Sequence, residues 1–347
     1  MPPVAATPAA AGANAAGTVL VTGGAGYIGS HAVLALRDAG RAVAVIDTLA
    51  TGFRWAVPDD VPFYRGDVAD SDLLDRIARE QRVSAIMHFA GSLLVPESVT
   101  KPLDYYRNNV VASRSLIESA VRNGITRFIF SSTAAVYGTP EIVPVTEDAR
   151  KSPINPYGNS KLMTEIMLAD VARAHPLAYG VLRYFNVAGA DPRQRSGQSV
   201  RNATHLIHVA AEAARGLRNA VMVYGTDYDT PDGTGVRDYI HVSDLAAAHV
   251  AALDWLEAHP GESLTANCGY SRGFSVLEVL DAVDRVTNAK LTRTLAPRRA
   301  GDPATLVAAT DRIRATLDWT PRFDRLETIV AHALEWERAL DERGLRP

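Results

Sequence analysis

Thr18-Val19-Leu20-Val21-Thr22-Gly23-Gly24-Ala25-Gly26-Tyr27-Ile28-Gly29 is the stretch that decides the fold. Its first five residues read as a short buried strand. They run directly into glycines spaced GxxGxxG at positions 23, 26 and 29, and then into the helical pattern HAVLALRDAG, which closes on Gly40. Without side chains the backbone can turn tightly and approach a pyrophosphate, whose charge is favoured at the N-terminus of the helix that follows. A glycine turn alone is a weak signal. Its place after a first strand and before a helix is the context a dinucleotide site requires.

Working outward, the alternation continues. The apolar runs AVAVID (42–47), SAIMHF (84–89), RFIFSS (127–132) and YGVLRYF (179–185) are rich in Val, Ile and Phe and too short for typical helices. Between them lie helical patterns such as SRSLIESAVRNG, which ends on Gly124. A glycine just past a helix supplies the left-handed residue that closes it. Strand alternating with helix predicts an α/β fold: a Rossmann-type doubly wound parallel sheet. After Tyr184 the loops fill with Gly, Asp, Asn and Arg, and helical patterns return near residues 203–216, 243–258 and 275–287. The expected division is a low-complexity Ala/Pro tail over 1–17, read as disordered, a mainly dinucleotide-binding domain over 18–186, and a smaller C-terminal substrate-binding lobe over 187–340. The chain is free to cross between the two.

Composition narrows the function classes. Thirty-six Lys and Arg against 39 Asp and Glu leave a net charge of −3 with no like-charge block, which argues against a nucleic-acid or anionic-membrane partner. No apolar run approaches the roughly 20 residues of a membrane helix. The tail lacks the basic and apolar regions of a signal peptide. The one cysteine, Cys268, cannot form an internal disulfide, so a reduced, cytoplasmic setting is expected. No metal site is expected.

Asp47 ends the second strand, where a carboxylate can accept from both ribose hydroxyls and repel a 2′-phosphate, which predicts NAD. Asp67, after a third strand, reads equally as an adenine contact or a helix cap. In PINPYGNSKLMTE, Tyr157 and Lys161 stand four residues apart near a helix start and share a face. A nearby ammonium is expected to lower the phenol's pKa and suit it to act as a base. Thr133, at the end of the strand FIFSST, can share the substrate proton.

These segments together resemble the UDP-glucose 4-epimerase family of the extended short-chain dehydrogenases/reductases. The resemblance runs from Val19 to about Trp336. It is carried by VTGGAGYIGSH, HFAG, ESVTKPLDYYRNNV, FIFSS with AVYG, PYGNSKLM, LRYFNVAGA, DGTGVRDYIHVSDLA and APRRAGD. It implies that Gly23, Gly26, Tyr27, Ile28 and Gly29 cradle NAD, with Asp47 on the ribose and Asp67 and Val68 at the adenine. Phe89, Ala90 and Gly91 would line the pyrophosphate and nicotinamide side, and Asn108, Ser131, Tyr157, Lys161 and Tyr184 would complete the cofactor site. Thr133, Asn186, His205, Tyr224, Arg237, Arg299, Asp302 and Leu306 would hold a UDP-sugar, the two arginines facing its diphosphate. The catalytic set would be Tyr157, Lys161 and Thr133, interconverting UDP-glucose and UDP-galactose through transient oxidation at C4 to a 4-keto sugar. A homodimer built on the helices around 105–122 and 157–174 is also implied.

Three positions depart from the family pattern. Leu93 stands where relatives often have Lys, Thr133 replaces a Ser, and Leu306 stands at the position that gates sugar size. A 4,6-dehydratase is disfavoured because Ala134 and Ala135 stand where that chemistry needs an acid and a base. A 4-epimerase of another UDP-sugar, or a non-catalytic NAD-sensing protein, are the remaining alternatives. The second of these would not need the Tyr157–Lys161 pair that the chain keeps.

Overall fold

The computed structural model describes residues 17–200, 203–299 and 301–346. The tail expected over 1–17 lies, but for Gly17, outside the described residues. Strands β1 (Thr18–Thr22), β2 (Val43–Asp47), β3 (Phe63–Arg65), β4 (Val83–His88), β5 (Arg127–Thr133) and β6 (Ala178–Tyr184) alternate with helices. These are α1 (Tyr27–Asp38), α2 (Ser71–Gln81), the short α3 (Val95–Thr100) and α4 (Pro102–Tyr105), α5 (Ala112–Arg122) and α6 (Pro156–Ala174). Later come β7 (Asn186–Ala188), α7 (Leu206–Ala214), β8 (Val221–Tyr224), β9 (Val236–His241), α8 (Val242–Ala258) and β10 (Leu264–Cys268). The chain ends with β11 (Gly273–Ser275), α9 (Val276–Thr287), β12 (Arg293–Ala296), β13 (Thr305–Leu306), α10 (Asp311–Thr316) and α11 (Leu326–Glu342).

The main sheet has seven strands in the order β10-β6-β5-β4-β1-β2-β3, every pair parallel. It is the Rossmann-type doubly wound sheet. Period-two alternation sends Val19, Val21, Val43 and Val45 to one face, where they pack with Val33 and Leu36 of α1 and Leu245, Ala252 and Leu256 of α8. Leu20, Ala44, Ile46, Ile86, Phe128 and Phe130 point the other way, onto Leu74 and Ile77 of α2, Leu116 and Ala120 of α5 and Leu168 of α6. Because both faces are covered, the strands read as continuous apolar runs rather than as alternating ones.

Two elements from late in the chain therefore belong to this layer: α8 packs beside α1, and β10 forms the edge strand beside β6. The remaining strands make small sheets. β9 is flanked by β11 and β13 and also pairs with β7, while β8 pairs with β12. Thus β7, which leaves the main sheet directly after Tyr184, is hydrogen-bonded to the strand that carries Arg237.

Candidate active site

Since β1 to β6 run parallel, their carboxyl ends share one edge, and the strand order reverses between β1 and β4, the point at which open α/β sheets take their ligands. The glycine turn follows β1, Asp47 ends β2, Asp67 and Val68 follow β3, Phe89 to Gly91 follow β4, Thr133 ends β5 and Tyr184 ends β6. At the switch point Gly23 has a left-handed φ of 68°, and a Cβ there would stand 2.6 Å from the Ala90 nitrogen. A Cβ on Gly29 would collide with the Gly23 carbonyl oxygen. Gly26 caps α1 with extended backbone and no side-chain cap, leaving the helix start open.

Asp47 braces this turn. Its Oδ2 accepts from the Ala25 N–H at 2.9 Å and its Oδ1 from the Leu49 N–H at 2.8 Å. Burial pushes its pKa up, and the two backbone bonds oppose that. Each oxygen keeps a second lone pair for a further donor. Asp67 is exposed and accepts from the Ala69 N–H at 2.9 Å, a local turn bond, while Val68 beside it is buried. The Ile28 side chain packs into the core.

Residues 106–111 form a π-helical turn between α4 and α5, a rare geometry that concentrates at functional sites. It points its two asparagines differently. Asn108 is exposed and donates to the Ser92 hydroxyl at 3.0 Å. Asn109 is buried and grips the backbone of the same residue: its Oδ1 accepts from Ser92 N–H at 2.7 Å, and its Nδ2 donates to Ser92 O and Ser160 Oγ, each at 3.0 Å. Asn109 was missed in the sequence reading. Its signal was a polar residue in the buried register of Ser113, Leu116 and Ala120.

Helix α6 begins at Pro156, capped by the Asn155 side chain, which accepts from the Gly158 N–H at 2.8 Å. Gly158 lets this start approach the turn after β5, because a Cβ would stand 2.6 Å from Ala135 O. That too went unread, although a glycine in the first turn of a helix is a mark of close approach. The result sets the buried Tyr157 beside Thr133 and Tyr184. Thr133 Oγ1 accepts from the Ala135 N–H at 3.1 Å, leaving its own hydrogen free. Thr133 and Tyr184 are also partners in the β5–β6 register.

The expected depression of the Tyr157 pKa is not met. Burial pushes the phenol well up, the neighbouring Tyr184 adds to that, and only the Thr133 hydroxyl pulls it back. Lys161 does not act on it, because its Nζ donates to Ser131 O at 2.8 Å and lies 4.6 Å from the centre of the Phe130 ring. Burial pulls the Lys161 pKa down to about 8. The Ser131 hydroxyl is buried without a hydrogen-bond partner among the described residues.

Later in the chain, the Arg299 guanidinium stacks on the Tyr224 ring at 3.8 Å, and the Asp302 N–H donates to Arg299 O at 3.3 Å. Arg237 donates to Val236 O at 2.8 Å, and its partner in the β9–β13 register is Leu306. Leu306 packs with the cluster of Ala134, Val136 and Phe185, the segments that follow Thr133 and Tyr184. Asn186 opens β7 opposite Tyr239. His205 departs from this group. Its contacts are with Gln198 at 3.1 Å and with the Tyr27 ring, and burial holds its pKa down to about 4. Tyr27 in turn donates to Gly189 O at 2.6 Å.

Residues 19–269 match the model of the NAD dependent epimerase/dehydratase family. A UDP-glucose 4-epimerase of Azospirillum brasilense is 58% identical over 324 residues, covering 93% of each chain. A crystal structure of UDP-glucose 4-epimerase from Brucella ovis in complex with NAD superposes with a TM-score of 0.89 at 42% identity, over 92% of this chain and 98% of that one. One from Bifidobacterium longum, in complex with NAD+ and UDP, gives 0.89 at 37% identity, over 95% of this chain and all of that one. The chain belongs to the NAD-dependent epimerase/dehydratase family, among its UDP-glucose 4-epimerases.

Proposed function

We propose that this protein interconverts UDP-glucose and UDP-galactose by inverting C4, with NAD as a resident cofactor and Tyr157, Thr133 and Lys161 as the catalytic set. The observation that carries the reading is the meeting of Tyr157, Thr133 and Tyr184 at the carboxyl edge of the sheet, with Leu306, the register partner of Arg237, packed against the segments that follow Thr133 and Tyr184. The chain fits the cofactor on three counts: a tight glycine turn, in which Gly23 and Gly29 leave no room for a Cβ, that opens onto the uncapped start of α1 at Gly26, a buried Ser131 hydroxyl, and free lone pairs on Asp47. When bound, NAD supplies a hydride acceptor for C4 and gives the hydride back.

The residues do the rest. Arg237 and Arg299 neutralise the diphosphate, which puts the binding energy on the UDP handle and leaves the hexose free to present either face. Tyr157 takes the proton of the 4-hydroxyl and returns it, with Thr133 bridging by its free hydrogen. A phenol pushed up by burial is a reluctant base, so Tyr157 needs positive charge brought near it to ionise; Lys161, one turn along the same helix, would have to release Ser131 O to supply it. Leu306, in register with Arg237, bounds the hexose.

The homodimer implied by the family resemblance is supported by exposed apolar residues on adjoining helices: Val99, Leu103 and Val111, with Met163 and Ile166 on α6. No helix among the described residues is long and apolar enough to cross a membrane. A cytoplasmic setting is supported by the lone, buried Cys268. The test is to incubate the purified protein with UDP-galactose and follow UDP-glucose, while extracting and identifying any bound dinucleotide. Bound NAD without turnover would favour a non-catalytic NAD-sensing role instead.

A further inference from the structure

The helix that carries Tyr157 and Lys161 is tied to the sheet by a buried ion pair outside the chemistry described so far. Glu165 follows Lys161 by one turn of α6, and Arg183 immediately precedes Tyr184 on β6; their side chains are 8% and 4% exposed. Arg183 Nη2 donates to Glu165 Oε2 at 2.6 Å, and its Nε donates to both carboxylate oxygens at 3.0 and 3.2 Å. The Ser132 hydroxyl donates to Oε1 at 2.5 Å. Arg183 Nη1 reaches the Tyr137 hydroxyl at 2.9 Å and Glu147 O at 3.2 Å, and Tyr137 donates on to Asn267 Oδ1 of β10 at 2.6 Å.

Each member of this cluster borders a site residue. Ser132 lies between Ser131, whose carbonyl accepts from Lys161, and Thr133. In register, Ser132 partners Arg183 while Thr133 partners Tyr184. Alternation along the strands puts the clamp on the α6 face and the hydroxyls of Thr133 and Tyr184 on the other. Apolar packing would hold α6 to the sheet equally well, since replacing a buried ion pair with hydrophobic groups is often neutral or stabilising. Stability alone thus gives no reason for charge here.

We propose that Glu165, Arg183 and Ser132 are positioning residues for the reaction: their clamp fixes the helix bearing Tyr157 and Lys161 against the strand bearing Thr133, and keeps a carboxylate one turn from the Lys161 ammonium. The proposal rests on the epimerase reading above. Other titratable groups face this cluster. His88 approaches Lys161 from β4 and is held neutral by burial, Tyr179 faces the pair from β6, Tyr137 and Glu147 from the segment after β5, and Arg312 of α10 pairs with Glu147. Glu165 favours the charged form of Lys161 against burial, so removing its charge moves the loss of activity at high pH to lower pH.

The experiment compares wild type, Ser132→Ala and Glu165→Gln in UDP-galactose turnover, with kcat, KM, bound NAD, melting temperature and the pH profile of kcat. Turnover by the wild type is the control, because an inactive wild type sinks the epimerase reading and not the clamp. Ser132→Ala removes one hydrogen bond and no charge. We expect its kcat to fall about tenfold with KM and NAD content unchanged, as a small misplacement of reacting groups does. Glu165→Gln is expected to shift the alkaline limb of its profile downward. A Ser132→Ala enzyme whose kcat stays within about twofold of wild type overturns the proposal, since a misplacement of even about 1 Å can cost about a hundredfold and a fraction of it about tenfold. An unmoved alkaline limb in folded Glu165→Gln overturns the electrostatic half. Should Glu165→Gln not fold, Ser132→Ala decides alone.

Discussion

Among single residues, the Tyr157 hydroxyl is the group proposed to carry the proton transfer. Tyr157→Phe is expected to lower the turnover of UDP-galactose by at least a hundredfold, since general acid–base catalysis is typically worth about 10²–10⁴. Melting temperature and bound NAD are expected to stay near wild type, because only an oxygen is lost. A variant retaining more than about a tenth of the rate removes Tyr157 from the role. Lys161 is expected to set the pH dependence. Its pKa is pulled down to about 8, so its charge is present below that value and lost above it, and kcat is expected to decline as pH rises through about 8. Leu306, proposed to bound the hexose, is partly buried with Ala134 and Phe185, and an N-acetyl group at C2 would press on that packing. Overpacking costs about 1–3 kcal/mol, or roughly one to two decades in rate. Leu306→Ser is accordingly expected to raise turnover of UDP-N-acetylglucosamine relative to UDP-glucose. Equal rates on both sugars in the wild type would move the gate elsewhere.

At the scale of elements, two opposing magnitudes meet at the start of α6. Gly158→Ala should gain about 1 kcal/mol of helix propensity. Against this, the new Cβ would press 2.6 Å from Ala135 O, a backbone atom with little freedom to retreat, and overpacking of that kind costs about 1–3 kcal/mol. The net expectation is a lower melting temperature together with a lower kcat, because the contact lies between Tyr157 and Thr133; a stabilised, fully active variant would contradict it. The same place shows what the sequence made legible. The strands β1, β2, β4, β5 and β6 and the closing glycines Gly40 and Gly124, both at positive φ, were readable because propensity, pattern and burial agree there. LTANC, the strand β10, carries too few apolar residues to announce itself, and it is in the main sheet because β6 offers it an edge. Asn109 was unread because its value lies in gripping Ser92 through a π-helical turn, which no local pattern foretells. The Lys161 effect on Tyr157 was misjudged because spacing along a helix gives proximity and says nothing of a competing acceptor such as Ser131 O.

At the scale of the whole molecule, burial gives the fold an acid-sensitive core. His31, His205 and His249 are held down to about 4 and His88 to about 3, against an ordinary value of 6.5. Below pH 6.5 the unfolded chain therefore binds more protons than the folded one, and stability falls as pH falls through that window. Asp238, pushed up to about 6, opposes this below pH 6, and Asp47 and Asp244, also raised by burial, do so at lower pH, while His241 and His332 are lowered as well and add to the four. Thermal melts are expected to drop steadily from pH 7 to pH 5, and a flat profile would contradict these buried neutral imidazoles. The proposed dimer has its own test. Ile166→Asp places a charge on the exposed apolar patch of α6 and is expected to yield monomers by light scattering, whereas a monomeric wild type would remove that interface. The decisive measurement is the conversion of UDP-galactose by the purified wild-type protein. The expected result is an approach to one equilibrium mixture with UDP-glucose from either side, without net consumption of NAD. Bound NAD with no exchange between the two sugars would contradict it.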